Sequence, residues 1–189
     1  MPARNQDPWT KVRTRRGFRA DEVRSTLQKE VRRGKTENAV MLAFEMLSTS
    51  TAMEELLWKR LLTISVEDVG MGQPLAPVIV NALYKGHLEF KRTEGDRALF
   101  AVHAVRYLCA CAKDRSTDEM LTWVKMMDQR GKMRPVIKDY GVDMHTARGR
   151  KMRRGFKYFM VEGTKVHPEL SERNKTYRKR ILNLLKESK

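Results

Sequence analysis

At 189 residues the chain is long enough for one domain that buries about 70% of its unfolded surface without covalent staples. Its two cysteines, Cys109 and Cys111, have no second pair at zinc spacing and read as small core residues rather than ligands or a disulfide, and no apolar run approaches the roughly 18 to 20 residues of a membrane span. The formal charge of +16 makes an acidic macromolecule the natural partner and leaves a soluble, reduced, cytoplasmic protein as the expectation.

Where the charge sits says more than its size. Residues 1–19 hold six Lys/Arg against one acid and residues 131–189 hold seventeen against six, whereas residues 20–130 hold sixteen of each. The excess therefore lies at the two ends of an electrically neutral body, which points to nucleic acid bound by the ends.

In chain order, residues 1–19 have little to bury and read as a flexible basic arm carrying Arg13, Arg15 and Arg16. Val23, Leu27 and Val31 fall four apart, a first helix ending at Gly34, and Thr36 caps a second with Ala39, Val40, Ala43, Phe44 and Leu47 inward. Gly34-Lys35-Thr36 spells the tail of a phosphate loop, but Lys29 stands where its first glycine belongs and a helix precedes it, so nucleotide hydrolysis has no visible machinery. Thr51 and Glu54 form a capping box for a third helix, whose apolar face is Leu56, Leu57, Leu61 and Ile64. Glu67 and Asp68 arrive where that helix runs out, before Gly70, Gly72 and Pro74 break it. Carboxylates at the negative end of a helix dipole need a cation or an N–H group to receive them. They either cap the next helix or hold a buried basic residue, with Arg60 and Arg106 as candidates, and so fix a junction between helical pairs.

Pro74 and Pro77 open a fourth helix that runs to Gly86 through Val78, Ile79, Ala82 and Leu83, and His87 to Gly95 read as a polar loop. Asp96 caps a helix apolar on nearly all sides (Leu99, Phe100, Val102, Val105, Tyr107, Leu108, Cys109), expected to be the most buried element. Ser116 and Glu119 cap a sixth, with Met120, Leu121, Val124 and Met127 inward and Gly131 at its end. Pro168 starts a basic amphipathic last helix carrying Leu170, Tyr177, Ile181, Leu184 and Leu185. No stretch alternates with the period of a strand, so the fold class is all-α, a compact array of about six to eight helices. The domain reading is a 1–19 arm, a 20–163 helical domain and a 164–189 terminal helix.

The stretch Trp58 to Pro74, WKRLLTISVEDVGMGQP, resembles the helical C-terminal region of replication-associated recombination ATPases of the MgsA/RarA type, relatives of the clamp loaders. The likeness extends through GFRADEVRSTLQKEVRRGKTENAVMLAFEML before it and FAVHAVRYLCACAKDRSTDEML and DYGVDMHTARGRKMRRGFKYFMVEG after it, roughly Gly17 to Gly163. In the last segment His145, Thr146, Gly149, Arg150, Gly155, Glu162 and Gly163 are in register with short stand-alone members that lack the ATPase module. The resemblance implies a collar-like helical domain, a homo-oligomer and a replication ATPase or other replisome protein as partner.

The segment Asp143 to Gly163 is where function concentrates. Arg148, Arg150, Lys151, Arg153, Arg154 and Lys157 place six cations in ten residues, interleaved with Gly149 and Gly155 and followed by Phe156, Tyr158 and Phe159. Cations neutralise phosphates, glycines let the backbone approach them, and rings stack on exposed bases. The aromatic triplet is equally readable as core. His145 with Asp143, Glu162 and His167 fits no familiar metal spacing and lacks a nucleophile, so His145 and Glu162 are read as holding the glycine-rich segment in place. The expectation is a protein without enzymatic activity, cofactor or metal that binds nucleic acid, DNA before RNA. The alternative is an oligomerisation or protein-interaction module.

Overall fold

A computed structural model describes residues 7–187, and among them the chain is all-helical, with no strand and one isolated backbone bridge, Arg13 to Arg19. It divides into two compact units, Met1–Lys132 and Met133–Lys189. The division falls at Lys132, not at Gly163, because residues 139–163 fold around their own small core of Val142 and Met160. No helix among the described residues is long and apolar enough to cross a membrane.

The first unit contains α1 (Ala20–Arg32), α2 (Thr36–Thr49), α3 (Thr51–Ile64), α4 (Ala76–His87), α5 (Gly95–Ala110) and α6 (Ser116–Gln129). Its core is built from Val23, Leu27 and Val31 of α1, Ala39, Ala43 and Met46 of α2, and Ala101, Ala104, Val105 and Leu108 of α5 around α3. The most buried element is α3, not α5: Met53, Leu56, Leu57, Trp58, Leu61 and Ile64 are all covered, whereas Leu99 of α5 is 63% exposed. The small residues Ala101 and Ala104 let α5 lie close to its neighbours, so the bulky residues of its far side are left outside. For the same reason Phe44 of α2 is exposed while Glu45 and Met46 turn inward.

Several helix starts differ from the sequence reading. Ser50, not Thr51, caps α3 by accepting from the Met53 N–H at 3.2 Å, which frees Glu54 for a buried role. Thr36, Asp96 and Ser116 lie inside the first turns of α2, α5 and α6 and provide no side-chain cap, and the Ser116 N–H instead donates to Asp114 Oδ1 at 2.8 Å. Pro77 sits in the first turn of α4, and Pro74 precedes it.

After Ile64 the chain makes a wide turn over Ser65–Val69 that brings Glu67 and Asp68 under α1. The Asp68 side chain is fully buried. Arg32 Nε donates to its Oδ1, Gln28 Nε2 to its Oδ2 at 2.9 Å, and Arg115 Nε stands 3.6 Å from Oδ1. Glu67 takes Gln28 Nε2 at 2.7 Å and Arg32 Nη2 at 3.3 Å. The cations that meet the two acids are thus Arg32 and Arg115. Arg60 reaches them only through Gln28, donating to its Oε1 at 3.0 Å, and burial pushes the Arg60 guanidinium below its usual range. Arg106 is exposed on α5 and has no part in the cluster.

Gly70 and Gly72 serve the same junction. Gly70 has φ +50, and a Cβ there would stand 2.3 Å from the Asp114 carbonyl oxygen, while one on Gly72 would stand 2.6 Å from that of Ala112. The backbone preceding α6 therefore lies directly on them, and the Asp114 N–H donates to the carbonyls of Asp68 and Val69 at 3.1 Å. Substituting Gly70→Ala is expected to destabilise the protein by roughly 2–4 kcal/mol through forced positive φ and backbone overlap. Gly95→Ala, at a position with open space, should be neutral or slightly stabilising. Urea denaturation midpoints at unchanged m-value measure both, and equal midpoints for the two variants would refute the close-approach account.

Candidate nucleic-acid interface

Of the expected arm, residues 1–6 lie outside the described residues; from Asp7 onward it is folded. Pro8–Lys11 forms a short helical turn and Trp9 and Val12 pack on the core. Glu45, 3% exposed, is the reason for the rest. The Arg16 N–H donates to its Oε1 at 3.0 Å, the Arg16 guanidinium and Arg15 Nε (3.4 Å) meet its Oε2, and the Arg15 N–H donates to Thr49 Oγ1 at 3.2 Å. Burial works to raise the Glu45 carboxyl, but the hydrogen bonds from Thr14, Arg16 and Arg15 prevail and hold it below its ordinary range. Arg15 and Arg16 are thus tied to an internal acid rather than free for phosphate. Arg13 is exposed and donates to the Gly17 carbonyl at 3.3 Å, closing the turn.

In the second unit the cationic segment is built from its caps upward. Asp143 Oδ1 accepts from the His145 N–H at 3.0 Å, and Thr146 Oγ1 accepts from the Gly149 N–H at 2.9 Å, capping α7 (Ala147–Lys151). Gly149 cannot carry a side chain, because a Cβ would lie 1.8 Å from the Asp143 carbonyl oxygen. The helix ends in a Schellman motif: the Arg154 N–H donates to the Gly149 carbonyl at 3.0 Å and the Arg153 N–H to that of Arg150 at 2.9 Å. The same pattern ends α1 at Gly34 (φ +68) and α6 at Gly131 (φ +61). At α7 the left-handed position is taken by Arg153, φ +55.

Beyond it, Gly155 caps α8 (Phe156–Tyr158), which widens into a turn over Phe159–Gly163. Arg154 is a clasp rather than a free cation. It grips both Asp139 carboxylate oxygens at 2.6 and 2.8 Å, donates to the Asp139 and Val142 carbonyls at 2.9 and 2.8 Å, and lies 4.3 Å over the Tyr158 ring. Tyr158 Oη also donates to Asp139 Oδ2 at 3.0 Å. His145 sits 3.2 Å from Asp143 through Nδ1 and meets the Phe159 ring edge-on at 4.9 Å, while Glu162 pairs with Lys165 at 2.6 Å.

Four cations of the segment remain. Arg148, Lys151, Arg153 and Lys157 are exposed and make no side-chain hydrogen bond or ion pair. Arg150 is exposed and rests on the Met144 and His145 carbonyls at 3.3 and 3.2 Å. The last helix, α9, spans Thr176–Glu187 rather than starting at Pro168, since Arg173 and Lys175 gather on Glu169 and Asn174 Oδ1 receives the Thr176 N–H at 2.9 Å. None of its residues is buried. Among the described residues no three His, Cys, Asp or Glu converge as they would around a metal ion. Asp139, the acid that organises the segment, has no local sequence signal, because it acts on Arg154 and Tyr158 from 15 and 19 residues away.

The chain matches no model of a known protein family and no curated protein.

The hydrogen bonds from Arg154 and then Tyr158 hold the Asp139 carboxyl below its ordinary range, with the charges of Arg154 and Arg148 adding to the effect. A carboxyl depressed in the folded state contributes stability above its unfolded pKa and loses it as pH falls through the folded value. The clasp should therefore persist at about pH 4 and open only below it, with the Asp139 carboxyl resonance titrating under the unperturbed midpoint of about 3.9. A midpoint at or above that value would show that the clasp does not form.

Proposed function

We propose that the protein is a non-enzymatic DNA-binding accessory protein of replication, recombination and repair, acting in the cytoplasm through the phosphate backbone. The observation that carries this reading is the set Arg148, Lys151, Arg153 and Lys157, exposed and unpaired within ten residues of a unit that holds sixteen Lys/Arg against six Asp/Glu. Arg153 adds weight, because an L-residue in the left-handed region costs about 1–2 kcal/mol where glycine costs nothing, and strain of this kind is kept where the side chain is needed. The resemblance of Gly17 to Gly163 to the collar-like region of recombination ATPases supplies the process.

If each of the four cations neutralises one phosphate, log affinity falls against log salt with a slope of about −3 to −4. A filter-binding titration with single- and double-stranded DNA measures it, and association insensitive to salt, or none, would overturn the reading. Arg153→Gly separates stability from binding: it should raise the unfolding free energy by up to about 1 kcal/mol while weakening DNA binding. Loss of both together would make Arg153 structural.

A second reading, an oligomerisation module of a clamp-loader-related assembly, is favoured by α6. Met120, Leu121, Trp123 and Met126 are 43–66% exposed and no residue of the helix is buried, contrary to the inward face expected of it. Its N-terminal half packs on the Gly70–Gly72 turn, which leaves the apolar side without a partner. The occupant that fits is a second copy, because an isologous pair buries the same apolar face twice across a two-fold axis. These four apolar side chains amount to roughly 500 Å² per copy, which brings a pair near the ~1,000 Å² that a specific interface needs. Light scattering after size exclusion should give a dimer or higher multiple for the wild type and a monomer for Trp123→Glu; a monomeric wild type would refute this reading.

A further inference from the structure

The three aromatic residues that follow the cations differ in what they already do. Tyr158 is covered by Arg154 and bonded to Asp139, and Phe159 receives the edge of His145 and lies against Gly163, whose Cβ would come within 2.9 Å of its ring. Phe156 has no such employment. It is 45% exposed, its ring pairs with that of Phe159 at a centroid separation of 6.2 Å, and in the sequence it lies between Arg153 and Lys157, two of the unpaired cations. The residue before it, Gly155, has backbone angles open to any residue (φ −84, ψ −167), and a Cβ added there would meet nothing within 4 Å. Neither conformation nor packing demands that glycine, in contrast to Gly149 and Gly163. It adds no side chain next to Phe156 in the chain.

We propose that Phe156 is a stacking platform for an unpaired base, so that the ligand of this unit is single-stranded nucleic acid, with phosphates on either side of the stacked base held by the flanking cations. This rests on the nucleic-acid reading above and adds the strand state to it. In a duplex the base faces are stacked on one another and unavailable, whereas in a single strand each base presents a π-face that a half-exposed ring between cations can take. Four exposed cations within nine residues of one half-exposed ring match that division of labour: charge follows the backbone and the ring takes the base.

The test is fluorescence-anisotropy binding of the full chain to oligo-dT, oligo-U and a duplex of equal length, at several salt concentrations. Wild-type protein is expected to bind a single strand more tightly than the duplex. Phe156→Ala and Phe156→Leu should each weaken single-strand binding about tenfold at an unchanged salt slope, and Phe156→Trp should restore it. Leu keeps apolar bulk without a π-face, so it separates ring stacking from packing, and thermal melts of all three variants report on the fold. Tighter binding to the duplex, or Ala and Leu variants within twofold of wild type, would overturn the stacking role while leaving phosphate binding intact. No salt-sensitive binding to any of the three polymers would overturn the underlying reading as well. The oligo-dT and oligo-U arms identify whether DNA or RNA carries the preferred strand.

Discussion

The first unit depends on one buried carboxylate. Asp68 is placed where α3 ends, out of reach of water and at the negative pole of the helix, a position that is unfavourable for a charge unless cations enclose it. Arg32 from α1 and Arg115 from the start of α6 do so, and Gln28 supplies the remaining hydrogen bond while passing Arg60 into the same network. Three elements are thereby located relative to one another. The bare backbone at Gly70 and Gly72 makes the location possible, because the chain entering α6 can lie against it only in the absence of side chains.

The device recurs. Glu54, 3% exposed, receives Arg97 Nε at 2.7 Å, with Arg92 Nε and His87 Nε2 each 3.6 Å away, and Arg97 also binds the Phe90 carbonyl at 2.6 Å. This binds α3 to the turn between α4 and α5 and explains why His87 is buried rather than part of a polar loop; burial lowers its imidazole below the usual range. Glu45 gathers Arg15 and Arg16 in the same way. Many arginines of this unit are therefore committed to internal acids, which is the structural form of the charge balance over residues 20–130.

The second unit follows a different economy. Among the described residues its buried apolar side chains are Val142 and Met160, and Arg154 ties the segment together through Asp139, the Val142 carbonyl and Tyr158. Asp139, Glu162 and Glu169 take up Arg154, Lys165, Arg173 and Lys175, and a surplus of cations is left without an acid. The strained Arg153 and the unneeded glycine before Phe156 lie within three residues of each other in this same stretch.

Much of the fold was legible in the sequence because helices announce themselves locally. The spacing of Val23, Leu27 and Val31, the stops at Gly34 and Gly131 and the absence of strand periodicity all act within a few residues, and each appears among the described residues. The location of surplus charge at the ends of the chain is likewise a property of composition alone. What each charge does is not. Arg15, Arg16 and Arg154 look like Arg148 and Arg153 in the sequence, and only their acids, Glu45 and Asp139, distinguish them. Those partners lie 15 to 30 residues away, brought near by packing, and no local pattern encodes such a distance. The same holds for α6, whose helical apolar face was readable while its exposure was not, since burial belongs to the neighbours that a helix acquires and not to the helix.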